Sequence, residues 1–346
     1  MVKMKDVALR AGVSIATVSN VITGKRAVSP EVQKAVLQAI SDLDYHVNMV
    51  ARGLKTQRTN TIGVVLPDVT KLFFNDVLKG IMTAAAENGY SINILSSGYD
   101  FSKEKDLVAT LRGNHVDAII LDSCVDYKKA AQWGAELTAM SGDVPVVSLE
   151  NKLCDDISTI AVNCRHWSSQ ITKHLLGMGR EKIFYISGPL SLRHEQDRLE
   201  GYKKALVEQG IAVDEKLIVM QDFQSGSAYT AVKKVLDQGV QFDAIQASND
   251  QAAIGAIKAL MERGIKVPEQ VAVTGFDNLF PSSLVEPAIT TVHVQRYAMG
   301  HNAVMECVRR IGDPEATVTH EILEAHMVIR GSSSEKAKSE WDLDNW

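Results

Sequence analysis

Ile15, Ala16, Thr17, Ser19 and Asn20 form a run of short side chains without a charge. On a helix, such a face is slim enough to sink into the major groove of DNA. There Asn20 can pair with an adenine edge, and Ile15 or Ala16 can touch a thymine methyl. Ser14 precedes the run as an N-cap, and Thr23 follows it at the helix end. Lys25, Arg26 and the N-cap hydroxyl of Ser29 come next, at positions suited to phosphates. The chemistry on offer is recognition of a duplex rather than catalysis.

Positioning that face needs a compact helical frame. Val7, Ala8 and Ala11 line one side of a first helix, and Gly12 stops it. A second helix runs from Ser14 to about Ile22, with Val18, Val21 and Ile22 turned inward. Ser29-Pro30-Glu31 opens a third, continued by Val32, Val36, Ala39, Ile40 and Leu43. The spacing of Ala8, Gly12 and Val18 is that of a helix-turn-helix, where a small residue lets the helices cross and glycine makes the turn. An ordinary three-helix subdomain shares that spacing; charge separates the two readings. Residues 1–58 carry nine Lys/Arg against four Asp/Glu, or +5, which leaves 28 against 38, or −10, for the rest of the chain. A basic head on an acidic body is what a DNA-binding module carried by a different domain looks like.

Residues 47–59 read as a linker with a short helix in it. Asn48 can cap that helix, and Val50, Ala51 and Leu54 share one face. So few residues do not hold a helix alone, and Gly53 weakens it further. From residue 60 the pattern alternates. Strand-like runs fall at 62–66, 92–95, 118–121, 144–149, 159–162, 182–187, 244–247 and 271–275, with helical patterns such as 73–88, 166–178, 196–209 and 251–263 between them. Continuous apolar strands alternating with helices predict doubly wound parallel sheets, and the length predicts two α/β lobes. Residues 332–346 read as a polar tail.

No P-loop, GxGxxG after the first strand, GxSxG or HExxH occurs, and the histidines (His115, His166, His174, His194, His293, His301 and His320 among them) are scattered. Cys124, Cys154, Cys164 and Cys307 lack metal or disulfide spacing. We therefore expect no enzyme, no cofactor and no metal. No apolar run spans a bilayer and the N-terminus has no leader-like apolar stretch, so a soluble cytoplasmic protein with no membrane partner is expected.

Three ordered motifs carry a family resemblance. They are Val7-Ala8 through Ala11-Gly12-Val13-Ser14 to Ala16-Thr17-Val18-Ser19; then Val28-Ser29-Pro30; then Leu43, Tyr45, Asn48, Ala51-Arg52 and Leu54. The chain resembles the LacI/GalR family of bacterial transcription regulators, densely over residues 3–58 and on to about residue 330. It departs where the family usually carries Pro-Asn at the hinge, here Val47-Asn48, and where the last base-reading position is often Arg, here Asn20. The resemblance implies a head at residues 1–46 that binds double-stranded operator DNA. It implies a hinge helix in which Asn48, Ala51 and Arg52 flank Leu54 as a minor-groove wedge. It also implies a homodimer and a periplasmic-binding-protein-like sensor at 60–331, with lobe one at about 60–160 and 290–318 and lobe two at about 161–289 and 319–331. Matching loops then place Phe73, Phe74, Glu150, Arg198, Phe223, Asn249 and Asp277 at a small effector, a sugar or sugar derivative, with Arg165 a weaker candidate. A repressor answering to such an effector is the reading; a sugar-binding protein without regulatory role is the alternative.

Overall fold

The computed structural model describes residues 2–23, 26–45 and 58–337, and the chain divides into two units, Met1–Thr59 and Asn60–Trp346. The first unit holds α1 (Met4–Ala11), α2 (Ile15–Thr23) and α3 (Pro30–Asp42). Gly12 ends α1 at φ +67°, a left-handed conformation that side chains resist. The Ser14 Oγ accepts the Thr17 N–H at 3.1 Å and so starts α2. Ser29 caps α3 by accepting the Val32 N–H, with Pro30 in the first turn. Val7, Ala8, Val18, Val36, Ala39 and Tyr45 make the small core. With a core this thin, each of these contacts matters to the fold.

The second unit runs β1 (Thr61–Leu66), α4 (Leu72–Glu87), β2 (Ser91–Ser96), α5 (Phe101–Gly113), β3 (Ala118–Leu121), α6 (Ala130–Ser141), β4 (Val146–Leu149) and β5 (Ser158–Val162). It continues with α7 (Cys164–Gly177), β6 (Ile183–Ser187), α8 (Arg193–Glu208), β7 (Ile218–Met220), α9 (Ser225–Asp237), β8 (Ala244–Ala247), α10 (Asp250–Glu262) and β9 (Ala272–Thr274). It ends with α11 (Pro281–Leu284), β10 (Thr291–Val294), α12 (Arg296–Gly312), β11 (His320–Leu323) and β12 (Ala325–Val328). One parallel sheet has the order β11-β5-β4-β3-β1-β2 and a second β7-β6-β8-β9. The central strands of both are buried along their length, as sheets covered on two faces require. Strands β10 and β12 pair antiparallel between the lobes.

Two boundaries differ from the sequence reading. Strand β11 pairs with β5, His320 against Thr159 through Leu323 against Val162. Residues 320–323 therefore belong to the first lobe, and the last crossing falls after Leu323 rather than at 318. As an edge strand with Ile322 60% exposed, β11 shows too little apolar pattern to be read from sequence. Ser332 and Ser333, assigned to the polar tail, are fully buried. The Ser332 Oγ donates to the Val273 carbonyl at 2.6 Å and accepts the Thr290 N–H at 2.9 Å. The Ser333 Oγ pairs with the Thr290 hydroxyl at 2.6 Å and His174 Nε2 at 2.8 Å, so polarity here does not mean exposure.

Candidate functional site

The strands of both lobes end at a common cleft, and the loops that follow them supply its walls. Phe73, Phe74, Glu150, Arg198, Phe223, Asn249 and Asp277 all line one cavity. Lobe one contributes Phe73 and Phe74 at the start of α4, packed edge to face with centroids 5.3 Å apart, and Glu150 just past β4. Phe74 is also core, at 4% exposure. Lobe two contributes Arg198 from α8, Phe223 after β7, Asn249 at the cap of α10 and Asp277 after β9.

Arg198 is the hub. Its Nη1 donates to the Ser248 carbonyl at 2.6 Å and to Glu195 Oε1 at 3.2 Å, and its Nη2 to Asp277 Oδ1 at 3.4 Å. The guanidinium lies 4.0 Å from the Phe276 ring centroid, a cation–π arrangement. Its Nε is buried. Glu195, with no exposure, also accepts the Gly188 N–H at 2.7 Å. Asn249 uses both ends of its amide on the protein, accepting the Ala252 N–H and donating to the Phe223 carbonyl. Arg165 lies elsewhere, in exposed ion pairs with Asp197 and Glu200.

Several wall residues escaped the sequence reading: Lys71, Tyr99, Asp122, Ser123, His194 and Gln251. Most follow closely on the end of a strand, so position relative to legible strand ends is the signal that would have found them. The Lys71 Nζ donates to the Tyr99 hydroxyl at 2.7 Å and sits 4.0 Å from the Phe223 centroid, joining the two lobes over the cavity. Burial lowers Lys71 to about 8, partly opposed by the carboxylates near it. Burial raises Glu150 to about 7 and Asp277 to about 6, the latter resisted by Arg198. Asp122 is pushed well up by burial and then by Glu150. His194 is depressed to about 3 by burial and the nearby cations, so its imidazole is neutral. These groups offer hydrogen bonds and stacking; no nucleophile stands beside a base, and no metal-ligand cluster occurs among the described residues.

In the first unit, Ser14, Ile15 and Ala16 are exposed at the start of α2, with Thr17, Ser19 and Asn20 half-buried beside them. The Ser14 and Thr17 hydroxyls also pair at 2.8 Å. Ser29 and Arg26 are exposed. Thr23 is the last residue of α2. Lys25, Asn48, Ala51, Arg52 and Leu54 lie outside the described residues. No helix among the described residues is long and apolar enough to cross a membrane.

Residues 3–48 match the bacterial regulatory proteins of the lacI family, and residues 172–333 match a periplasmic binding protein-like domain. The chain is 32% identical over 316 residues to the HTH-type transcriptional repressor PurR of Vibrio atlanticus, spanning 91% of this chain and 93% of that protein. It is similar to the transcriptional regulator CelR in its cellobiose complex, at 29% identity and a TM-score of 0.72, covering 96% of this chain and 100% of the other. It is also similar to the lac repressor dimer bound to operator and the anti-inducer ONPF, at 25% identity and a TM-score of 0.86, covering 96% and 99%.

Proposed function

Because the chain belongs to the lacI family of bacterial regulatory proteins, and so is a DNA-binding transcription regulator and not an enzyme, we propose that it is a cytoplasmic homodimeric repressor. Its hold on an operator is set by a small polyhydroxylated effector. The observation that carries this is the cleft: polar and aromatic side chains from strand ends of both lobes converge on one site. Arg198, Asp277, Glu150 and Asn249 supply hydrogen-bonding groups to hydroxyls, and Phe73, Phe74 and Phe223 supply apolar faces for a ring. On this reading Ser14, Ile15, Ala16, Thr17, Ser19, Asn20 and Thr23 are assigned to base edges, and Lys25, Arg26 and Ser29 to phosphates. By the family resemblance, Asn48, Ala51, Arg52 and Leu54 are assigned to the minor groove. The relatives' own ligands, cellobiose and ONPF, support a sugar-like occupant. A ligand that favours one arrangement of the lobes shifts the population competent for DNA.

The test is a thermal-shift screen of pentoses, hexoses and disaccharides followed by gel shifts with operator DNA. A true effector at about 100 times its Kd adds about 2.7 kcal/mol of stability, and the same compound must change the fraction of DNA bound. Sugar binding without any effect on DNA would favour the non-regulatory reading instead.

A further inference from the structure

The strands β10 and β12, which run between the lobes, carry one histidine each at opposed positions. His293 and His326 are partners in the antiparallel ladder, with ring centroids 4.9 Å apart. His326 is exposed and His293 half-buried, so solvent reaches the pair. His293 also touches the loop that follows β9: its Nδ1 lies 3.1 Å from the Nδ2 of Asn278. The direction of this hydrogen bond is fixed from the far end of the amide. Arg330 Nη2 donates to Asn278 Oδ1 at 2.8 Å, and a guanidinium has no acceptor to offer. Asn278 therefore turns its NH2 toward His293, where Nδ1 is the bare, accepting nitrogen. The loop held in this way is part of the cleft. Asp277 and Asn278 stand at φ +100° and +52°, conformations that side chains resist. Neighbours keep them there: the Asp277 N–H donates to the Val292 carbonyl at 3.0 Å, the Asn278 N–H to Thr291 Oγ1 at 3.2 Å, and Arg296 donates to both their carbonyls. Asp277 in turn accepts from Arg198.

We propose that His293 is a proton-sensitive pin between the interlobe strands and the cleft: a proton taken from solvent onto Nδ1 breaks the bond to Asn278 and loosens the loop that presents Asp277 to Arg198. The lone pair that accepted becomes an N–H, and donor then faces donor. The amide cannot turn over in response, because its NH2 would then meet Arg330. Imidazole is the side chain suited to such a change, since its charge ordinarily switches between about pH 5 and 8. The surrounding charges add to the effect. His326 stands opposite, and two imidazolium rings at that separation repel. Arg330 and Arg296 are cations on the same loop. Of the carboxylates nearby, Asp277 is turned to Arg198, and Asp250 accepts from the Thr291 hydroxyl and the Leu279 N–H. From α7, packed against both strands, His174 is bonded to Ser333 at 2.8 Å. The pin acts on the loop itself and so does not depend on which effector the cleft takes.

Hydrogen exchange read by mass spectrometry on the ligand-free full chain decides the matter. Peptides covering residues 275–279 are followed at pH 7.5 and pH 5.5, with rates corrected for the chemical effect of pH. In the wild type their exchange should rise by about tenfold in acid relative to peptides from β8, as the loss of a buried hydrogen bond allows. His293→Asn offers Asn278 an amide oxygen in place of Nδ1 and takes up no proton. It keeps Asp277, so titration of that carboxylate is common to both proteins. In the variant the loop should be equally protected at the two pH values. Equal protection of the wild-type loop at both pH values overturns the pin, whether or not the variant folds. A rise in the variant as large as in the wild type overturns it too, and assigns the pH response to Asp277. A third measurement needs no loss of structure: with 15N-labelled histidine at pH 7.5, the wild-type His293 must show its proton on Nε2, and a proton found on Nδ1 overturns the proposal.

Discussion

Arg198 shows how one side chain can hold both a site and a fold. Ligand contact was the role suggested by the family resemblance; the structure adds Glu195 and Asp277, both buried against it. Removing the guanidinium strands two carboxylates in the interior, so Arg198→Ala should cost about 3–5 kcal/mol of folding stability at pH 8. The deficit should shrink at pH 5.5, below the value of about 6 at which Asp277 already takes a proton. Denaturant titrations at the two pH values check this, and an equal deficit at both would count against it. Glu150 predicts the opposite sign. Its folded value near 7 lies above the ordinary 4.5. The penalty for holding it charged is therefore absent below about 4.5, grows through the interval, and is complete above about 7. Glu150→Gln should raise the Tm of the ligand-free protein at pH 8, by up to about 3 kcal/mol in stability, and lose that advantage toward pH 4.5. At this scale the sequence revealed residues that sit in recognisable loops, such as Asp277 in Gly275-Phe276-Asp277-Asn278. It was silent on Asp122 and Lys71, which follow strand ends but whose importance comes from partners distant in the chain.

Helix α4 begins at the cleft with Phe73 and Phe74 and crosses α12 at closest approach through two glycines. A Cβ built on Gly80 would lie 2.1 Å from the Tyr297 carbonyl oxygen, and one on Gly300 would lie 2.0 Å from that of Val77. Both obstacles are backbone and have no rotamer to change. Gly300→Ala should therefore push the helices apart and lower stability by about 1–3 kcal/mol or more, as overpacking does. The displaced α4 should also weaken effector binding. A wild-type Tm and wild-type ligand affinity in this variant would show that the crossing tolerates separation. At this scale the sequence was most legible where strands are buried on both faces: the runs at 118–121 and 244–247 coincide with β3 and β8. It failed at β7, β10, β11 and β12, short strands whose pairing is decided by the lobes' arrangement and not by their own composition.

The chain's two units, parting after Thr59, differ in charge as well as in structure. Removal of residues 1–59 should abolish operator binding while effector binding persists within about twofold, since no residue of the cavity lies in the removed segment. Gel shifts and calorimetry on the truncated protein check both halves, and retained operator affinity would refute the assignment of the head. Within the sensing unit, β10 leads from lobe two into α12 of lobe one, and β12 leads back, paired in register from Thr291 with Val328 to Val294 with Ala325. Two crossings bonded side by side behave as a ribbon. A ribbon twists and bends readily, but sliding one strand along the other would break its ladder and turn every side chain to the wrong face. Any change in the lobes' relative orientation that keeps this ladder intact must therefore be a twist or a bend of the ribbon, not a slide.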